Sequence, residues 1–465
     1  MLGTERELRK ALTLGCRVLK ELGESVSPKP GVLALVFELR RATKLMNKTK
    51  VAGFTSLGPI QDAKKQAAMS VLSSMFLLSY IAGTPSKNLT AVIALRMATM
   101  TCLHGLSPQS PFGIMGFGFM QAALNDFPGS KDTCSIALDL TERIPGAEAL
   151  AGRTQSLMHG LVAPWWEGKS IADIHPECVR SFHTSMAHGD IDQGFYNIIN
   201  HFGIGLLRGT PIVEINADFE KYIRAMDEYQ VNQTKAFSLS FWRHIRMLTG
   251  KGDHTTVDDN LDVTSLYETT NKMPKSEIMT LCDYVYEAAA QLLLGTYGNN
   301  LEDDERRMAF MMKNFDSPAT QLTRSFCDMT LFLCCKILHK KAGQYQYFRF
   351  QRKMDKELEM YHKYNAPIAM GPHLLLAAEN MADKPRRKNW EDIQQAYLEA
   401  MEVSRHNGDF IFVEAYGYEK LAKLADARQD RAKGMFYLQQ ALATYTRWGA
   451  TVKITELTER LAVRR

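Results

Sequence analysis

From Asn389 to Leu461 the chain carries two helical patterns that echo each other. Tyr397, Ala400 and Gly408 recur as Leu438, Ala441 and Gly449, at a constant spacing of 41 residues. Such a period, on apolar residues three and four apart, is the pattern of stacked helical hairpins. Trp390, Ile393, Tyr397, Ala400 and Met401 fall on one face of the first helix, and Phe412, Ala415, Tyr416 and Leu421 on one side of its partner. Between them, Gly408 can end a helix in the left-handed region and Asp409 can cap the next one. A hairpin of this kind cannot bury its apolar face alone and needs neighbours on both sides.

The rest of the chain supplies them. Helical periodicity runs through Thr4–Leu22, Val32–Met46, Gln61–Ile81, Leu89–Leu103, Pro111–Leu124, Asp132–Arg143, Ala147–Val162, Ile171–Ala187, Gln193–Leu206, Val213–Tyr229 and Phe237–Leu248. It resumes over Ser276–Leu294, Leu301–Lys313, Ala319–His339, Tyr345–Tyr364 and His373–Met381. Period-two β-branched runs are scarce, so roughly twenty helices and no strand are expected. Gly113, Gly116 and Gly118 would weaken an exposed helix, which predicts that Pro111–Leu124 is buried between close neighbours. The pattern divides the chain into a helical part at 1–249, a polar connection at 250–275 and a second helical part at 276–465, whose last hairpins occupy 388–465.

Composition fits a folded chain, with 45% apolar and 23% charged residues. A net charge of +5 over 465 residues does not imply a nucleic-acid partner. Gln66–Ser86 is uncharged, but its strongly apolar part is shorter than a membrane span. The charged N-terminus lacks the apolar core of a secretory signal. The eight cysteines form no CxxC pair and sit in apolar helical contexts, as small buried hydrophobes of a reducing compartment do. These features point to a cytoplasmic protein with no membrane span.

The motifs that could carry chemistry are incomplete. Gly168-Lys169-Ser170 resembles the tail of a phosphate-binding loop, but Ala163 stands where that loop needs its first glycine. Cys178, His183 and His188 are spaced too widely for ligands on one helix face. His201, His339 and His373 read as single histidines satisfied in the core. Asp303-Asp304-Glu305 falls at a helix start, where capping and the macrodipole account for it. Lys384-Pro385-Arg386-Arg387-Lys388 reads as a solvated linker. No catalytic, cofactor-binding or metal-binding residue is assigned, and no enzymatic activity is expected.

Tyr445-Thr446-Arg447-Trp448-Gly449-Ala450-Thr451-Val452-Lys453 resembles the string that closes the TPR-like superhelical array of large hybrid signalling proteins. Gly15–Pro30, Leu261–Glu268 and Tyr361–Glu379 are similar to further stretches of that array, in the same order. In that family the array accompanies protein-kinase-like, AAA/STAND ATPase, GAF and histidine-kinase domains. Tyr361-His362 departs from the family's Trp-Ala, and this chain carries the array without the catalytic signatures. The resemblance therefore implies an all-α fold, an α-solenoid of TPR-like antiparallel hairpins. The function it implies is a protein-interaction scaffold in signal transduction, holding a partner protein or peptide on a concave surface, with a signalling ATPase or kinase as one such partner. The alternative is a superhelix that senses a small effector, with the glycine-rich helix at 111–124 as site and the 250–275 connection as gate.

Overall fold

The computed structural model describes residues 2–82, 87–250, 277–315, 324–383, 389–408 and 410–464. Among the described residues the chain is all-α, with twenty α-helices, no strand, and one isolated bridge between Pro59 and Leu106. The polar connection at 250–275, apart from Gly250, and the basic tract at 384–388 lie outside the described residues.

The first helices are α1 (Leu2–Glu21), α2 (Val32–Ala52), α3 (Ala63–Ala82), α4 (Lys87–His104), α5 (Ser110–Ala123) and α6 (Phe127–Arg143). Helix α7 (Ala151–Leu157) runs into a π-turn at Met158–Val162 and a short turn at Ala163–Trp165. Then come α8 (Ile171–Ala187), α9 (Ile191–Arg208), α10 (Ile212–Glu228) and α11 (Asn232–Thr249). The second part holds α12 (Glu277–Leu294), α13 (Leu301–Asn314), α14 (Arg324–Ala342), α15 (Tyr345–Lys363) and α16 (Pro367–Ala382). It ends in α17 (Trp390–His406), α18 (Ile411–Asp426), α19 (Arg431–Trp448) and α20 (Thr451–Arg464).

Most helices pack on the next in sequence, and several on the next but one, as stacked hairpins do. Tight turns make this possible: Gly189, Gly209 and Gly449 lie at φ +73°, +76° and +89°, a region open to glycine at little cost. Asp190 sits at the start of α9, yet its carboxylate takes the Arg153 guanidinium at 2.6 and 3.0 Å and does not cap the helix.

Contacts also link parts distant in sequence. Helix α9 touches α18, α11 touches α20, and the Ala163–Trp165 turn touches α16. Trp165, 0% exposed, lies 5.8 Å from Phe127 and 4.7 Å from Tyr361, ring centre to ring centre. His244 meets Trp448 and Phe326 meets Phe412, so one apolar cluster runs from Leu12 to Leu461. In an open array each unit would touch only its neighbours; here the last hairpins fold against the middle of the chain.

Helix α5 is buried along most of its length, as its glycines predict. A β-carbon at Gly118 would lie 2.5 Å from the Cys134 sulfur, and one at Gly113 2.7 Å from Met97 Cβ. Gly118→Ala is expected to destabilise the fold by about 1–3 kcal/mol through overpacking, read as a lower urea midpoint. Gly58→Ala, where an added β-carbon meets nothing within 4 Å, serves as control. Equal midpoints for the two variants would refute the close-packing account of α5. All eight cysteines are free and seven are buried, with Cys102 half-buried. Among the described residues no helix is long and apolar enough to cross a membrane.

Candidate functional site

Helix α17 starts at Asn389, whose side chain accepts from the Asp392 N–H at 2.7 Å. It ends at Gly408, φ +119°, where a β-carbon would come within 2.5 Å of Ile171. This turn is thus seated on the start of α8, which fixes the direction of the hairpin. Helix α18 is buried on nearly every side, and three acids lie inside this region: Glu379 on α16, and Glu414 and Glu419 on α18.

A buried carboxylate persists only when paired and hydrogen-bonded. Glu379 takes Lys336 at 2.5 Å, Lys420 at 3.3 Å and the Tyr397 hydroxyl at 2.7 Å. Glu419 takes Lys453 at 2.9 Å and the Tyr445 hydroxyl at 2.7 Å. Each hairpin thus repeats one device: a glutamate on one helix met by a tyrosine from the helix packed beside it.

Glu414 differs in facing the rim. It takes Arg405 at 3.0 Å, Arg447 at 2.5 Å and the Thr444 hydroxyl at 3.2 Å. Burial alone would raise its carboxyl, but hydrogen bonds from Arg405 and Arg447, and their charge, hold it below the usual range. Two half-exposed guanidiniums therefore share one buried carboxylate, with the exposed Glu402 on the same helix face as Arg405. Arg405 also donates to the Tyr418 hydroxyl at 2.8 Å. Along α17, Gln395, Leu398, Glu402, Arg405 and His406 wall a surface cavity of about 470 Å³, with Tyr418 behind them. This groove is concave and mixed in polarity, with Arg405 and Glu402 both on its wall, and the Arg405 guanidinium can meet an anion on an extended segment.

The motifs singled out in the sequence are not assembled into sites. The Cys178 thiol faces the Ile174 carbonyl, His183 lies against Phe182, and His188 bonds the Thr184 carbonyl at the surface. Among the described residues no group of three could hold a metal ion. Ser170 caps α8 in a reciprocal box with Asp173, so Gly168-Lys169-Ser170 is a helix entry. Asp303 pairs with Arg306 and Arg307, and Asp304 accepts from the Gly298 N–H at 2.7 Å. All three single histidines have partners, His339 meeting the Gln344 carbonyl at 3.1 Å and the Phe348 ring at 5.7 Å. His201 stacks on His175 at 4.2 Å and meets Asp218 at 2.9 Å, and His373 stacks on His362 at 4.7 Å. The buried glutamates were not anticipated, although acids inside the apolar run Ile411–Leu421 are a readable sign of paired burial.

The Arg447-Trp448-Gly449-Ala450 string has a local physical role. Arg447 serves Glu414, Trp448 and Ala450 are buried, and Gly449 ends α19 beside Ile212. No protein-family model matches the chain, and no curated protein is significantly similar to it.

Proposed function

We propose that the chain is a non-enzymatic protein-interaction scaffold that holds an acidic, extended segment of a partner protein along α17. One observation carries this reading: Arg405 and Arg447 converge on the single carboxylate of Glu414, which holds a half-exposed Arg405 guanidinium in place on the wall of a groove of about 470 Å³. The rigid pairing of Glu414 preorganises both guanidiniums, so the bound segment need not order them. A role in cytoplasmic signal transduction, with a signalling ATPase or kinase as partner, draws its support from the resemblance of the closing string to the hybrid-kinase arrays.

The test uses the full chain and a library of fluorescein-labelled eight-residue peptides, read by anisotropy. Peptides with an aspartate, a glutamate or a free C-terminal carboxylate are expected to bind at micromolar Kd. Amidated neutral peptides are expected to bind at least tenfold more weakly. Arg405→Ala with Arg447→Ala should weaken acidic peptides at least tenfold and reduce their salt dependence. Equal binding of acidic and neutral peptides, or none of either, rules the reading out.

A further inference from the structure

A second cavity lies away from the groove, in the first half of the molecule. About 70 Å³ of open space is lined by α3, α5, α7, α9, α11 and α12. Its floor is apolar, with Phe76, Phe112, Ile199 and Phe241 all buried. Its polar lining includes the Gln193 carboxamide and the hydroxyls of Tyr80 and Tyr196.

These three groups line the cavity without a protein hydrogen-bond partner among the described residues. Gln193 is 7% exposed, and its side chain makes no hydrogen bond among the described residues. Neither tyrosine hydroxyl has a partner among them. Gln193 is buried and Tyr80 and Tyr196 are half-buried, so their free donors and acceptors at one cavity are available to a ligand. We propose that this cavity is a binding site for a small neutral amphiphile: a ring-sized apolar body on the phenylalanine floor, with a hydroxyl or carbonyl end bonded by Gln193, Tyr80 and Tyr196.

The ligand class follows from size and charge. A water needs roughly 10–15 Å³ of such space, so the cavity would hold about five waters or one small ring. An apolar floor disfavours water there. The one cation on the lining, Arg153, is already neutralised by the two bonds of Asp190. A carboxylate ligand would find no free counter-charge, and an ammonium no anion, so a neutral molecule fits best. Burial pushes both phenols well above the usual tyrosine range, with Cys282 adding to the effect at Tyr80 and Tyr80 at Tyr196. Both therefore stay protonated and can donate as well as accept. Phe112 comes from the glycine-rich helix, Phe241 from α11 and Cys282 from α12. A molecule in the cavity would touch helices on both sides of the 251–276 stretch, and binding would stabilise their packing by mass action.

The site is tested with phenol as neutral probe and benzoate as its charged counterpart, titrated into the full chain by calorimetry and by thermal melting. Phenol is expected to bind saturably at roughly millimolar Kd and to raise Tm. Benzoate should bind at least tenfold more weakly. Gln193→Leu and Tyr80→Phe should each weaken phenol about two- to tenfold while melting near the wild type without ligand. Ile199→Trp, which fills the floor, should abolish phenol binding. If it fails to fold, the two polar variants decide. The proposal is overturned if phenol does not saturate, if benzoate matches it, or if both polar variants bind phenol as the wild type does. None of these outcomes bears on the α17 groove.

Discussion

Acidification is expected to destabilise this protein strongly between pH 6.5 and pH 4, with histidines setting the onset. His159, His175 and His244 are buried. Burial lowers all three, His159 and His244 to about 4 and His175 to about 3. The charges of Lys169 and Arg180 add to this at His159, and those of His201 and Arg208 at His175. The hydrogen bonds agree with neutral rings. His175 faces the His201 carbonyl through Nε2 at 3.1 Å, and its Nδ1 takes an Arg208 N–H at 3.3 Å, so a proton on Nδ1 would point at a guanidinium. The sign is that of a base lowered on folding. The unfolded chain takes up protons first, near pH 6.5, so native stability is complete above that value and falls as pH drops toward the folded pKa. A tenfold preference is worth about 1.4 kcal/mol, so each ring withholds roughly 3–4 kcal/mol by pH 4, and the three together approach the whole stability of an ordinary fold. Carboxylates act later: Glu379, held at about 2, loses its contribution only between its unfolded value and there. Urea midpoints at pH 7, 6, 5 and 4.5 measure the slope. His244→Asn keeps a donor for the Tyr286 carbonyl, 2.8 Å from His244 Nδ1, and removes one titrating group, so its slope should flatten. A wild-type midpoint unchanged from pH 7 to pH 5 would show that the histidines do not govern acid stability.

How much of this was legible in the sequence depends on the range of the interaction. Helices are set by residues three and four apart, and their number and most of their spans follow from apolar spacing. Starts were missed where side-chain chemistry overrides the pattern. Helix α6 begins at Phe127, ahead of the expected Asp132, because Asp126 caps it by accepting from the Gly129 N–H. Helix α16 begins at Pro367, ahead of the expected His373, and carries Pro372 inside, where a local reading would stop it. Packing partners far apart in the chain leave no local trace: nothing near Trp165 indicates Tyr361, and nothing near Gly408 indicates Ile171. The histidine stacks were hidden for the same reason, since His175 and His201 meet only once α8 and α9 are in register. The α17 groove was legible as a hairpin face, but the sharing of Glu414 by two arginines required the third helix, α19.

Removing the carboxylate of Glu379 is expected to be the most damaging single change in the C-terminal hairpins. Glu379 is 1% exposed and holds together α14 through Lys336, α17 through Tyr397 and α18 through Lys420. Burial would raise its carboxyl, but the charges of Lys420 and Lys336 bring it down to about 2. Glu379→Leu leaves Lys336 with Asp383 at 2.9 Å and the backbone carbonyl of residue 379 at 3.0 Å, and Tyr397 with an unpaired buried hydroxyl. Breaking a buried pair from one side costs about 3–5 kcal/mol, because the remaining charge stays withdrawn from water. Glu379→Gln should cost less, since an amide oxygen still accepts from Tyr397. The decisive variant joins Glu379→Leu with Lys336→Met, which removes both charges and fills their space. An ion pair replaced by apolar groups of similar volume is often neutral in stability, so the double variant should recover at least half of the loss. A double-mutant cycle in urea reads the coupling directly. Strict additivity would mean that Glu379 acts through packing alone. Recovery would show that the hairpins are held by a compensated charge, and Arg405, on α17 between α16 and α18, should then lose peptide affinity in the single variant and regain it in the double.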